Sequence, residues 1–88
     1  MKLKYNFVTN EVAGKIVAVA VGDDAVKFNG FIKMNKTGAE IFNLLKSDLS
    51  REELVEELKK IYPEEEETVL RKSAEDFLTK LSQAGVLE

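Results

Sequence analysis

The sequence predicts an α+β domain of winged-helix-like form, in which a three-stranded antiparallel sheet is followed by three helices. Apolar, β-branched runs fill the amino-terminal part, whereas capping signals and helical periodicity fill the remainder. The two parts meet in Phe31–Leu45, where a short extended run passes directly into an amphipathic helix. The chain has 88 residues, so we expect a single domain, 1–88, built around one core.

The amino-terminal part predicts two strands joined by a tight hairpin. The β-rich run Phe7–Val12 is interrupted at Ala13-Gly14 and is followed by Lys15–Val21. Gly14 adopts a positive φ without steric cost, as a tight hairpin turn requires. Both faces of the second strand are apolar, which predicts a central position in the sheet with a helix covering at least one side.

Residues 23–29, before the third strand, fit two structures. Asn29-Gly30 is typical of a hairpin turn, which would make the preceding residues a strand paired with the third one. Alternatively, Asp23 or Asp24 caps one helical turn that stops at Asn29-Gly30. The helical turn is the preferred interpretation.

Capping signals mark the starts of the first two long helices. Asn35 and Thr37 are both favourable N-cap residues for the first, and Thr37 with Glu40 has the spacing of a capping box. Ser50 with Glu53 has the same spacing at the start of the second.

The last helix is expected to follow Pro63, which either ends the second helix or begins the third. Glu64–Glu67 place carboxylates at its amino end, where the helix dipole favours them. The apolar spacing continues to about Ala84, and Gly85 is suited to end the helix. Val86-Leu87 are then expected to fold back onto the core.

The composition argues against catalysis. The chain contains no histidine and no cysteine, which removes the common nucleophilic dyads and the usual transition-metal ligands. No phosphate-binding loop or dinucleotide fingerprint is present. The acidic run Glu64–Glu67 lacks the ligand spacing of a calcium loop. We therefore expect a protein that is not an enzyme and has no catalytic residue, metal or cofactor.

Charge and hydropathy limit the partners and the compartment. The net charge is −3 and the pI about 5.1, the opposite of the basic surplus that nucleic-acid binding requires. No apolar run approaches the roughly 20 residues of a membrane span, and no signal peptide is recognisable. A cytoplasmic protein that binds neither nucleic acid nor membrane is the simplest interpretation.

A peptide-binding module fits these constraints. If the short third strand lies at a sheet edge, its unpaired N–H and C=O groups can bind an extended peptide, with the last helix walling the groove. Val69 and Leu78 widen the apolar stripe of that helix. From periodicity alone, ordinary core packing explains the stripe equally well.

An ordered series of residues resembles the PqqD family. Met34-Asn35-Lys36-Thr37-Gly38-Ala39 matches the family's apolar-Asn-x-Thr-small-small step between third strand and first long helix. The likeness continues through Glu53–Leu58, Tyr62 and Phe77–Leu87, and it covers the chain from Phe7 onward. It also favours a helical turn before Asn29-Gly30.

This resemblance implies a winged-helix-like peptide chaperone, or precursor-peptide recognition element. Such domains hold the leader of a ribosomally made peptide as an added strand and present it to a modifying enzyme, often a radical S-adenosylmethionine protein, as in coenzyme PQQ biosynthesis. Ser73 stands where family members often carry an acidic residue, which leaves the leader sequence open. The peptide-binding positions that the resemblance implies are Phe31, Ile32, Lys33 and Met34 on the strand and Val69, Leu70, Ser73, Ala74, Phe77 and Leu78 on the last helix.

Two other functions fit the predicted fold. A winged-helix transcription regulator would need exposed basic residues on its recognition helix, yet Glu64–Glu67 dominate the start of the last helix. A structural subunit of a larger complex has no sequence feature against it. The particular precursor, partner enzyme, product and oligomeric state do not follow from these residues.

Overall fold

The computed structural model describes all 88 residues, and its strands form one antiparallel sheet in the order β1-β2-β3. This arrangement confirms the predicted α+β class, with a three-stranded sheet followed by three long helices. None of the helices is both long and apolar enough to cross a membrane. The elements are β1 (Phe7–Val12), β2 (Lys15–Ala20), α1 (Asp24–Lys27), β3 (Phe31–Met34), α2 (Lys36–Leu44), α3 (Arg51–Ile61) and α4 (Glu67–Gln83).

The hairpin between β1 and β2 turns at the predicted dipeptide. Ala13 has φ 52° and Gly14 φ 80°, so both central residues are left-handed, as in a type I′ turn. Val12 consequently pairs with Lys15, and the register continues to Phe7 opposite Ala20. The hairpin is confirmed, and β2 ends one residue earlier than predicted.

The segment before β3 is the helical turn α1, which confirms the preferred interpretation of residues 23–29. The Asn6 N–H donates to the Asp24 carboxylate at 2.7 Å and fastens this turn beside the start of β1. Gly30 has φ 136°, a conformation open mainly to glycine, and it leads the chain into β3.

The two faces of the sheet differ in their cover. On the inner face, Ala18, Ile32 and Met34 are buried under the helices. On the outer face, Val8 remains 45% and Phe31 58% exposed. The sheet is therefore covered on one side only. The second apolar face of β2 lies on the other side, which no element of this chain covers.

The core lies between the inner face of the sheet and the three long helices. Phe42 is fully buried, and its ring meets the Phe7 ring edge-on with centroids 5.1 Å apart, so α2 is joined to β1. The apolar spacing along α2, α3 and α4 therefore marks the inward faces of these helices. The buried hydrophobic residues of the helices are Ile41, Phe42, Leu54, Val55, Leu58, Leu70, Ala74, Phe77, Leu78 and Leu81, with Leu45 directly after α2.

The helix starts follow one predicted capping box and correct the other. The Ser50 hydroxyl accepts from the Glu53 N–H at 3.1 Å, and the Ser50 N–H donates to the Glu53 carboxylate at 2.9 Å, so this box is confirmed. At α2 the cap is Asn35, whose side-chain oxygen accepts from the Gly38 N–H at 2.8 Å. Thr37 already lies inside the helix, so the expected Thr37 box is wrong, because Asn35 takes the extended cap conformation directly after β3.

The junction between α3 and α4 follows the first of the two alternatives predicted for Pro63 and corrects the position of the acidic run. Pro63 ends α3 and lies in a turn instead of beginning α4, and the Glu65 N–H donates to the Tyr62 carbonyl in that turn. Of Glu64–Glu67, only Glu67 is helical and Glu66 is the N-cap residue. At the other end, Gly85 has φ 74° and ends the helix as predicted.

Ion pairs on the surface join α3 to α4. The Arg71 guanidinium donates to both Glu52 carboxylate oxygens at 2.9 Å, and Glu67 contacts Lys59 at 2.6 Å and Arg71 at 3.2 Å. Hydrogen bonding from Arg71 lowers the pKa of Glu52, and hydrogen bonding from Lys59 and then Arg71 lowers the pKa of Glu67.

This pairing makes the stability of the domain pH-dependent. A carboxyl group with a lowered folded-state pKa stabilises the fold above its unfolded pKa of about 4.5, and the contribution is lost as the pH falls through the folded-state value. We expect Glu52→Gln to flatten the fall in unfolding free energy between about pH 5 and pH 3, measured by urea unfolding. Equal pH dependence in both proteins would contradict a role for this pair.

Candidate functional site

β3 lies at an edge of the sheet, because it pairs with β2 and with no other strand. The edge position was the condition on which the peptide-binding hypothesis depended. An unpaired edge leaves every second residue of a strand with its N–H and C=O directed away from the sheet.

The hydrogen-bond phase of the sheet identifies those residues. The Val21 N–H donates to the Asn6 carbonyl at 3.0 Å, so Val21 and every second residue before it direct their backbone groups to β1. Ala18 therefore directs its groups to β3, where its partner is Ile32. It follows that Ile32 bonds to β2, whereas the N–H and C=O of Phe31 and Lys33 face the free edge.

A gap separates this edge from α4. No Cα atom of β3 lies within 8 Å of a Cα atom of α4. Neighbouring strands lie about 4.8 Å apart, so a peptide added to this edge would run between β3 and α4. The side chain of Lys80 reaches across and donates a hydrogen bond to the Lys33 carbonyl, which confirms independently that this carbonyl faces the edge.

A pocket of about 320 Å³ opens beside the carboxyl end of β3. Its apolar floor is formed by Ile41, which is fully buried, and by Phe77, which is 9% exposed. Its remaining walls are polar, so it suits a side chain with a polar end. The lining residues are Asn35, Thr37, Gly38 and Ile41 from the start of α2 and Ser73, Asp76, Phe77 and Lys80 from α4.

Gly38 determines how closely Phe77 approaches α2. A Cβ atom at this position would lie 2.9 Å from Cε1 of the Phe77 ring and 3.2 Å from the Asn35 side-chain oxygen. The absence of a side chain therefore lets the ring form the floor while Asn35 keeps its cap.

We expect Gly38→Ala to destabilise the domain by about 1 kcal/mol, because overpacking costs about 1–3 kcal/mol and exceeds the helix-propensity gain of up to about 1 kcal/mol. Urea unfolding measures the difference. Asn43→Gly and Asn43→Ala, at an exposed position of α2, form the control pair that reports propensity alone. A Gly38→Ala protein more stable than the wild type would show that the Phe77 ring moves aside without a cost in free energy.

The structure brings four of the ten sequence-predicted positions to the groove. Phe31 and Lys33 provide the free backbone edge, and Ser73 and Phe77 line the pocket. Val69 is 47% exposed on the same face of α4 but does not line the pocket.

The other five predicted positions lie elsewhere. Ile32 and Met34 are buried in the inner face of the sheet, and Leu70 is buried in the core. Ala74 and Leu78 are buried and line a crevice against α3 instead. Their contact with a ligand stays a prediction that this geometry does not favour.

Sequence reasoning missed most of the residues that line the pocket. Lys80 follows Ser73 by seven positions, two helical turns, so extending the helix face by one heptad would have identified it. Asn35 was recognised only as a cap. The remaining pocket residues missed were Thr37, Gly38, Ile41 and Asp76.

The charges at the groove are not balanced locally. Asp76 is paired with Lys72 at 3.2 Å, whereas neither Lys33 nor Lys80 has a carboxylate within 4 Å. The Lys33 ammonium instead lies 5.7 Å from the centroid of the Phe31 ring. The edge therefore presents two cations without an anionic partner in this chain.

No group of three or more aspartate, glutamate, histidine or cysteine side chains is arranged to hold a metal ion. The arrangement offers backbone hydrogen bonds, an apolar floor and positive charge, which are features of recognition.

Comparison with known proteins gives a family and a structural relative. The family described as Coenzyme PQQ synthesis protein D (PqqD) matches residues 15–87. Among curated proteins, none matches this chain. Among solved structures, TbiB1 in complex with the TbiA(beta) leader peptide superimposes with a TM-score of 0.73 at 20% sequence identity, covering 100% of this chain and 95% of that one. This likeness shows a shared fold.

Proposed function

The chain belongs to the PqqD family, and we propose that it is a non-catalytic adaptor that binds the leader of a ribosomally made precursor peptide by strand addition. The leader lies in extended form along the free edge of β3, as a fourth strand of the sheet. The whole chain, 1–88, serves as one peptide-binding domain.

The proposal rests on one observation: the backbone N–H and C=O groups of Phe31 and Lys33 are unpaired by any strand and face a gap bounded by α4. Backbone hydrogen bonds at these residues bind any extended segment and give the sequence-tolerant part of the affinity. Selectivity then comes from the pocket beside Asn35, where Phe77 and Ile41 receive one leader side chain.

The comparisons support this proposal in two ways. The family description refers to the synthesis of a coenzyme, so a role within a biosynthetic system is consistent with it. TbiB1, which shares the fold, is bound to a leader peptide in its structure. We extend peptide binding to this chain, with presentation to a peptide-modifying enzyme, such as a radical S-adenosylmethionine protein, as the consequence.

The experiment is a two-dimensional amide NMR titration of the labelled protein with leader segments of small peptides encoded beside its gene. Saturable shifts at Phe31, Lys33, Ser73 and Phe77 would support strand addition in this groove. Binding that shifts only residues remote from β3 and α4 would contradict it, as would the absence of binding by every leader tested.

A further inference from the structure

Lys80 occupies the hydrogen-bond acceptor that a bound peptide would need. Its ammonium group donates to the Lys33 carbonyl, one of the backbone groups that face the free edge of β3. A peptide strand about 4.8 Å from β3 would fill the space that the Lys80 side chain crosses. Lys80 must therefore leave this carbonyl when a peptide N–H replaces it.

The Lys80 ammonium has no carboxylate partner in the free protein. No carboxylate lies within 4 Å of it, and Asp76, one turn earlier on α4, instead contacts Lys72 at 3.2 Å. Lys33, on the other side of the gap, is unpaired as well. A carboxylate on the peptide at this level of the groove would therefore pair with Lys80 and offset the hydrogen bond that Lys80 gives up.

A neutral peptide side chain at the same level gives no such compensation. The displaced Lys80 ammonium would then be solvated by water, and the complex would gain only the backbone hydrogen bonds. The site thus distinguishes peptides by charge at one position, although the free edge itself accepts any sequence.

Resting on the proposed strand addition, we propose that Lys80 is the specificity residue of the groove. In the free protein it covers the Lys33 carbonyl, and in the complex it pairs with an aspartate or glutamate side chain of the bound peptide. The preferred ligand is an extended peptide with one acidic residue that lies beside Lys33.

The test uses a phage-displayed library of random linear peptides selected on the wild-type protein and on Lys80→Met. Lys80 is exposed, so we expect the variant to fold, which circular dichroism verifies. Peptides from the wild-type selection should share aspartate or glutamate at one position, and those from the Lys80→Met selection should not.

Affinities of the wild-type and variant proteins for an acidic and a neutral peptide then assign the preference for an acidic residue to Lys80. The wild-type protein should bind the most enriched acidic peptide about fivefold more tightly than the same peptide with its acid replaced by the corresponding amide. Lys80→Met should bind both equally. Lys60→Met, which removes an exposed charge from α3, is the matched control and should keep the wild-type preference.

The outcomes separate this proposal from the one on which it rests. Enriched peptides without a shared acidic position, or an undiminished preference in Lys80→Met, would overturn the role of Lys80 and leave strand addition standing if Phe31 and Lys33 still shift. No enrichment on either protein would overturn both.

Discussion

Lys33→Pro should abolish most peptide binding in a folded domain, whereas Ile32→Pro should strongly destabilise the fold. These neighbouring residues differ in where their N–H groups point. The Ile32 N–H belongs to the ladder with β2, and its side chain is 4% exposed. Proline there removes a buried bond and disrupts the strand, at a cost of about 3 kcal/mol or more.

The Lys33 N–H faces the free edge, where proline is tolerated in strands. Losing the Lys33 N–H keeps the fold intact but deprives one peptide carbonyl of its hydrogen-bond donor. The affinity for the peptide should therefore fall roughly tenfold to hundredfold. Lys33→Ala is the matched control, because it removes the charge and keeps the N–H. Circular dichroism and isothermal titration with a peptide selected on the wild-type protein measure both effects. If the folded Lys33→Pro protein bound as Lys33→Ala does, the peptide would not add to this edge.

Phe42→Ala should cause the largest loss of stability among the phenylalanine variants. The Phe42 ring is fully buried and joins α2 to Phe7 of β1. Removing such a ring costs about 3–5 kcal/mol, a large part of the roughly 5–15 kcal/mol that stabilises a typical domain. Urea unfolding should therefore show a strongly lowered midpoint.

Phe31→Ala is the control for this prediction, since the Phe31 ring is 58% exposed on the uncovered face of the sheet. It should cost roughly 1 kcal/mol or less. Similar losses in the two variants would mean that the core is not organised around the contact between Phe42 and Phe7.

The fold was predictable from the sequence because local signals and burial agreed along most of the chain. Ala13-Gly14 specified the hairpin, and Ser50 with Glu53 specified the start of α3. The start of α2 was ambiguous because Asn35 and Thr37 are both good caps. The backbone resolves this, since the residue directly after β3 is the one in the extended cap conformation. The likeness to winged-helix proteins stays a prediction.

The site was predictable only in part, because periodicity tells which face of a helix is apolar but not which neighbour that face meets. Leu78 belongs to the apolar stripe of α4 yet packs toward α3. Lys80 is exposed and polar, so no core pattern includes it, although it spans the gap to β3. Identifying such a residue requires the distance between two elements, and that follows from tertiary packing.

Amide hydrogen exchange along β3 tests strand addition most directly. Without peptide, the Phe31 and Lys33 amides should exchange fast, and the Ile32 and Met34 amides slowly, because only the latter bond to β2. Saturation with a bound leader peptide should slow Phe31 and Lys33 and leave Ile32 and Met34 little changed. Unchanged fast exchange at Phe31 and Lys33 in the saturated complex would contradict strand addition.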